Sequence, residues 1–415
     1  MRRFLPVLVV AAAVSAACGG ETGARAGPTT VLRVVMTDDW VTAPFTDAVR
    51  EFERTHPRVR VDIDRGPIGR MADVVRAGIA GGSPPDVIQG HAHTGAGQDL
   101  AEPLDDLWDH HGLTADEFLP GAVADVTWAG RRYGVPLDSN AMAVLYNTTR
   151  FRELGLSPPT GPLSFVDFER LAGQLTSPDG ARRGLVVPVD TWVTFGWVRA
   201  NGGDLLRVEP GGTPVFTFDS PAVVGTLDYL GRLIDSGVAF GPLGPDARST
   251  DAYALFRSGQ VAMYTSGSWD LVRVTREVPD GDFGVALMPR GLTGATAGSS
   301  MGGSSLWVPK GSPNRELAFE FMLLLTSDPY ALRFAKEEGR LPVRPRVLSD
   351  PHFADPQLRV FVEQLATAHP PILGALHEAS QAFGDALSRV LRERADARTA
   401  LAEAQSRAVS SLAPP

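Results

Sequence analysis

VLRVVMTDDWVTAPFTDAVREFERTHPRVRVDID (31–64) and the PDVIQG segment that follows (85–90) decide the fold. VLRVVM (31–36) is a short β-branched run and predicts a strand. Phe45, Ala48, Val49 and Phe52 then recur at i, i+3, i+4 and i+7, the apolar stripe of an amphipathic helix. VRVDID (59–64) predicts a second strand, about 69–80 a second helix stopped by Ser83-Pro84-Pro85, and PDVIQG a third strand. This βαβαβ alternation predicts an open parallel sheet with helices on both faces, whose ligands sit beyond the carboxyl ends of the strands. The loops at Thr37-Asp38-Asp39-Trp40 and Gly90-His91-Ala92-His93-Thr94 are therefore candidate ligand contacts. Asp38 or Asp39 serves equally well as a helix cap.

Further along, YGVPLDS (133–139) and MAVLYN (142–147) read as strands around a turn, followed by helices near 148–155 and 164–175 and a Trp-rich stretch (191–206). Helices at 220–236 and 251–258 and strands at 261–267 and 283–289 extend a second alternating region. GLTGATAGSSMGGSSLWVPKGSPN (291–314) holds too much Gly, Ser and Thr for a core and reads as turn, linker or site. A helix at 314–325 carries Leu317, Phe321 and Leu324, and two Ala/Arg/Glu-rich helices, 375–392 and 395–410, follow.

The 415 residues are 43% hydrophobic and 21% charged, with 44 Gly and 33 Pro, which excludes gross disorder and collagen-like repeats. At about 150 residues per domain this length predicts two or three domains. Lys+Arg number 39 against 48 Asp+Glu, a net charge of −9, so the basic footprint of a nucleic-acid binder is missing. Lysine occurs only at Lys310 and Lys336, which reads as GC-rich coding bias.

MRRFLPVLVVAAAVSAACGG (1–20) puts two arginines before an apolar run and a small-residue boundary, a secretory signal. The run is short of the roughly 20 residues of a membrane span. Ser15-Ala16-Ala17-Cys18 resembles a lipobox with Ser in place of the usual Leu, so residues 1–17 are expected to be removed and Cys18 lipidated. The alternative is a cysteine of no special role in a signal cleaved elsewhere. Residues 18–29 read as a flexible tether.

Two catalytic or metal readings also arise. His91-x-His93 and His110-His111 offer imidazoles, but no Cys or carboxylate spacing accompanies them, so no metal site or cofactor is expected. Gly298-Ser299-Ser300-Met301-Gly302 satisfies Gly-x-Ser-x-Gly, with Asp350, Asp355, His369 and His377 following in hydrolase order. A nucleophile elbow needs a strand before the serine and a helix after it, and here the strand-like SSLWVPK follows. No enzyme is expected.

GSPPDVIQG (82–90), YGVPLDSNAMAVLYNTTRF (133–151), LFRSGQVAMYTSGSW (255–269), LWVPKGSPNRELAFEFMLLLTSDPYALRFA (306–335) and GRLPVRP (339–345) occur in one order behind a lipoprotein-like signal. In this the sequence resembles the extracellular solute-binding proteins of ATP-driven importers, the sugar-binding, maltose-binding-protein-like group, over essentially the whole mature chain. One departure is local: the family often has Pro-x-Thr-Trp-(Asp/Glu), whereas Pro159-Thr160 here leads into Gly161-Pro162-Leu163-Ser164-Phe165. The resemblance implies an α/β, two-lobed periplasmic-binding-protein-like fold of type II, with a ligand cleft between lobes joined by a multi-segment hinge. The expected lobes are 30–136 with 292–346, and 137–291 with 347–415.

It also implies capture of a sugar and delivery to the permease subunits of an ABC-type importer by an exported, lipid-anchored monomer facing the extracellular side. A sugar presents hydroxyls around an apolar face, so its cleft needs aromatic rings and short polar groups. The candidate ligand contacts are Asp38, Asp39, Trp40, His91, Asp138, Asn140, Trp192, Ser268, Trp269, Gly302, Gly303 and Arg340. Trp40, Trp192 and Trp269 are read as loop residues, Asp138 as part of the first crossing between lobes, and Arg344 as solvated. The same fold also suits a polyamine, a peptide or another solute, or a ligand sensor for a membrane receptor.

Overall fold

In the computed structural model, described for residues 29–412 apart from 68–69, 210–212, 243–248, 279–281 and 294–296, the predicted βαβαβ unit is present. It runs β1 (Thr30–Met36), α1 (Ala43–Thr55), β2 (Val59–Arg65), α2 (Met71–Ala80) and β3 (Val87–Gly90), followed by α3 (Ala92–Gly97). The secretory signal, Cys18 and nearly all of the tether lie outside the described residues. β1 lies between β2 and β3 and pairs with both in parallel. Leu32 and Val34 on β1, Phe45, Ala48 and Phe52 on α1, and Val87 and Ile88 on β3 are buried together, as the two periodicities require.

The sheet is not wholly parallel. Beyond β3 comes an antiparallel strand, Ser299–Trp307, which also pairs antiparallel with Gly134–Ala141 and, at its start, in parallel with Ala368–His369. This strand lies in the segment whose composition argued against a core, and Ser299, Ser300 and Ser305 in it are fully buried. Small residues are what a strand paired along much of both edges and covered on its faces can accommodate.

The second lobe is built around a three-stranded antiparallel sheet, with Ala143–Asn147 between Met263–Ser266 and Phe283–Ala286. The hairpin expected at 133–147 therefore does not form. Gly134–Ala141 pairs in the first lobe's sheet and Ala143–Asn147 in the second's, so the chain crosses at Met142. Here the Met142 N–H donates to Ser299 Oγ (2.9 Å) and Ser300 O (3.1 Å), fastening one crossing segment to the next. Gln364, fully buried, accepts the Met288 N–H (2.8 Å) and donates to Ala297 O (2.6 Å), adding a third segment.

A second hydrophobic cluster fills this lobe. Phe165 stacks on Tyr229 with ring centroids 4.3 Å apart, and Ser164 caps the helix Phe165–Leu175 by accepting from the Asp167 N–H. The helices His377–Glu393 and Ala397–Ser410 pack on each other through alanines and leucines. Among the described residues no helix is long and apolar enough to cross a membrane.

Candidate functional site

A cleft of about 440 Å³ opens beyond the carboxyl ends of β1 and β3, where the sheet topology places ligands. Its floor is Asp138 and Asn140 from the first crossing strand and Gly303 and Ser304 from the strand beside it; Thr37, Asp38, Asp39, Trp40, Gln89 and Arg340 wall it.

Asp138 anchors the floor. It is 8% exposed, and its Oδ1 accepts from both the N–H and the Oγ of Ser304 at 2.8 Å. Its Oδ2 lies 3.9 Å from Arg340 Nη1. Burial pushes the Asp138 carboxyl up, and the opposing pull of Arg340 and Ser304 leaves it above its ordinary range. Gln89 ties the floor to β1: its Nε2 donates to Ser304 Oγ (3.2 Å), while its Oε1 accepts from the N–H (2.9 Å) and Oγ (3.0 Å) of Thr37.

The glycine pair makes this arrangement possible. A Cβ at Gly302 would stand 2.5 Å from Asn140 Oδ1, and one at Gly303, whose φ is +107°, would stand 2.4 Å from the Asp138 carbonyl oxygen. Asn140 Oδ1 is buried with no hydrogen-bond partner, an acceptor left free at the cleft. A ligand hydroxyl or amine is the natural donor for it.

Trp40 does not present an open ring. It sits in the short 3₁₀ turn Asp38–Trp40, is 2% exposed, packs its edge on Phe334 (4.8 Å), and lies 4.0 Å beneath the Arg340 guanidinium. Arg340 Nη2 in turn donates to the backbone oxygen and Oδ2 of Asp39, both at 2.9 Å. Burial pushes the Asp39 carboxyl up, but the bonds from Thr37 and Arg340 outweigh it and hold the carboxyl below its ordinary range. Neither aspartate caps α1, whose N-cap is Thr42.

Trp192 and Trp269 are not loop residues. Trp192 is the second residue of the helix Thr191–Ala200 and Trp269 the first of the helix Trp269–Glu277. Their ring centroids are 5.0 Å apart, Trp192 Nε1 donates to Met301 O (3.3 Å), and Trp269 is 46% exposed. Gly267 is required because a Cβ there would lie 2.0 Å from the Trp269 ring. Buried Asp270 fixes this helix start through Tyr264 Oη (3.1 Å) and Ser266 Oγ (2.6 Å). Val272, one turn on, approaches Gly339, the residue before Arg340.

Several expectations are thus revised. Asp38, Asp39, Trp40, Asp138, Asn140, Gly303 and Arg340 line the cleft, whereas His91, Trp192, Ser268, Trp269 and Gly302 do not. Ser268 is buried at the helix start, and Gly302 faces a small neighbouring space. Thr37 belongs to the loop already singled out, whereas Gln89, inside β3, and Ser304, which follows the glycine pair, were not among the expected contacts. Arg344 is not solvated: it is 5% exposed, donates to Thr326 O (2.7 Å) and lies over Phe118. The absence of a carboxylate near His91-x-His93 is also corrected, because Asp125 reaches both rings from the helix Pro120–Val126. Ser300 sits inside a strand, fully buried, and its Oγ makes no hydrogen bond; His369 stands opposite it in register without bonding it. That is not a nucleophile elbow.

Residues 37–332 match the sequence profile of the bacterial extracellular solute-binding proteins. The chain belongs to this family. Among the relatives of this solute-binding protein are the diacetylchitobiose binding protein DasA of Streptomyces coelicolor, 24% identical over 346 residues (79% of this chain, 78% of DasA), and a lactose-binding protein of Rhizobium radiobacter, 26% identical over 343 residues (77% and 75%). Its fold matches the GacH receptor of Streptomyces glaucescens, solved unliganded and with acarbose, at a TM-score of 0.77 with 24% identity over 92% of this chain and 98% of that one. The sugar-binding protein MalE from Xanthomonas citri matches at 0.77 with 22% identity, over 92% and 97%. The family and these neighbours are binding proteins with the two-lobed architecture.

Proposed function

We propose that this solute-binding protein captures a mono- or oligosaccharide in the cleft and delivers it to the permease of an ABC-type importer. The observation that carries this reading is the polar floor, with Asp138, Ser304 and the unpartnered Asn140 Oδ1, together with the Trp192–Trp269 pair, which reaches the same strand through the Trp192 bond to Met301. The floor matches the hydroxyls of a sugar and the rings its apolar face. The names of the relatives, which include an arabinooligosaccharide-binding protein of Bacillus subtilis, support the same ligand class.

In this reading the first lobe runs to the crossing at Met142 rather than to residue 136 and takes 292–346 as well, and the second lobe is the remainder to 291 with 347–415. Ligand touching both favours the closed form, and a closed monomer docks on the permease. A second reading has one observation in its favour: three carboxylates, Asp38, Asp39 and Asp138, line the cleft with a single guanidinium, Arg340, so a polyamine or other cation also fits it.

Thermal unfolding of the purified protein against sugars, polyols, amino acids, polyamines and peptides separates the two. A ligand at a hundredfold excess over its Kd stabilises the native state by about 2.7 kcal/mol. A rise in Tm with one sugar class is the expected result. A rise with amines alone would replace the sugar, and no rise with any sugar would end the proposal.

The exported chain is held to the membrane, in this proposal, by lipid on Cys18. Mass spectrometry of the membrane fraction is expected to show a chain beginning at Cys18 and carrying diacylglycerol. A soluble chain with an unmodified cysteine would contradict it.

A further inference from the structure

We propose that His91, His93 and Asp125 form a binding site for a divalent transition-metal ion, of which Zn²⁺ is the representative, beside the ligand cleft. His91 sits between β3 and α3, His93 lies in α3, and Asp125 comes from the helix Pro120–Val126, so groups well apart in the chain converge. His91 Nδ1 is 2.6 Å and His93 Nδ1 3.2 Å from Asp125 Oδ1. One ligand atom from each residue lies within 4.8 Å of the others, and among the described residues no other group of three His, Cys, Asp or Glu does this.

Ligand atoms bound to a four-coordinate zinc at about 2.0–2.1 Å stand roughly 3.3 Å from one another, so small side-chain rotations separate these atoms around an ion. Two imidazoles and one carboxylate are the donor set of a site that keeps one position for water or another ligand. The same set disfavours Mg²⁺ and Ca²⁺, which take oxygen ligands.

The surroundings hold these groups in place. Asp125 Oδ2 lies 2.7 Å from Ser305 Oγ, and that hydroxyl accepts the Ala92 N–H at 2.9 Å. Such partners orient a ligating carboxylate. His93 and Asp125 are 2% and 7% exposed, whereas the His91 side chain is 34% exposed and leaves the open side to solvent. Ser305 adjoins Ser304, which bonds Asp138 in the cleft floor, so a bound ion would brace the wall that carries the ligand site.

A hydrogen-bond network alone explains some of these distances, since His93 Nδ1 also lies 3.0 Å from the Asp125 carbonyl oxygen. The experiment therefore measures metal directly. The full chain, freed of metal by a chelator, is titrated with Zn²⁺ and with Mg²⁺ by calorimetry, and its thermal unfolding is followed with each ion. One equivalent of Zn²⁺ binding at micromolar concentration or below, with a rise in Tm and no response to Mg²⁺, is expected. His91→Gln, at a partly exposed position, should retain the fold and weaken zinc binding at least tenfold, and Asp125→Asn should do the same. Replacing both His110 and His111 with Gln should leave it unchanged. No zinc binding to the unaltered chain, or equal binding by His91→Gln, would overturn the proposal.

Discussion

Asp138→Ala is expected to weaken capture of the ligand identified by the thermal screen by about 100-fold or more, with the circular dichroism spectrum unchanged. Truncating one member of a buried, hydrogen-bonded charged group costs about 2–5 kcal/mol, largely because its partners are left unsatisfied. Here those partners are the N–H and Oγ of Ser304 and the guanidinium of Arg340. The same change removes an acceptor that ligand hydroxyls would otherwise reach. Asp138→Asn keeps an oxygen for Ser304 and should fall between the two. Calorimetry gives the affinities, and an undiminished affinity in Asp138→Ala would place the ligand somewhere other than this floor.

Gly303→Val is expected to destabilise the fold by about 3 kcal/mol or more, read from the urea midpoint and slope. Two costs add. A φ of +107° is a conformation that a β-branched residue avoids, and the new Cβ would be forced to 2.4 Å from the Asp138 carbonyl oxygen, a backbone atom that cannot swing aside. Gly130→Ala is the comparison: its φ is +79° but its Cβ would meet nothing within 4 Å, so only the backbone cost of about 1 kcal/mol applies. Equal midpoints for the two variants would mean that the strand Ser299–Trp307 yields at Gly303.

The first lobe was legible because its signal is periodic. VLRVVM, the Phe45–Phe52 stripe and VRVDID each repeat at the spacing their element demands, and the structure places them as β1, α1 and β2. Ser299–Trp307 carried no such signal. Its residues are small and polar, its stability comes from pairing with other strands, and nothing local records those partners. The tryptophans misled for the opposite reason: Trp192 and Trp269 follow Gly, Ser, Asp and Thr residues that suit a loop as well as a helix start, and the helix follows.

At the site, the loops were found but the deciding contacts were often a residue away. Gln89 lies inside β3 and Thr37 just after β1, and their bond to each other spans 52 residues. Asp125 was invisible because it reaches His91 from 34 residues away, inside a helix whose sequence, PGAVADV, looks like packing. Arg344 was misplaced because burying a guanidinium depends on the Thr326 carbonyl and the Phe118 ring, neither of which is near it in sequence.

The guanidinium of Arg340 over Trp40 has a consequence for how closure is coupled to recognition. The first lobe's own indole is already paired with a cation, so that lobe offers a ligand almost nothing but hydrogen bonds. The exposed aromatic surface belongs to Trp269, on the other lobe. Were the lobes to close with Trp269 over the floor, as the proposed sugar capture requires, a ligand with one apolar and one hydroxylated side would find each half of its complement on a different body. Such a split would work as a logical conjunction, in which a purely polar or a purely apolar solute satisfies one condition and an amphipathic solute both.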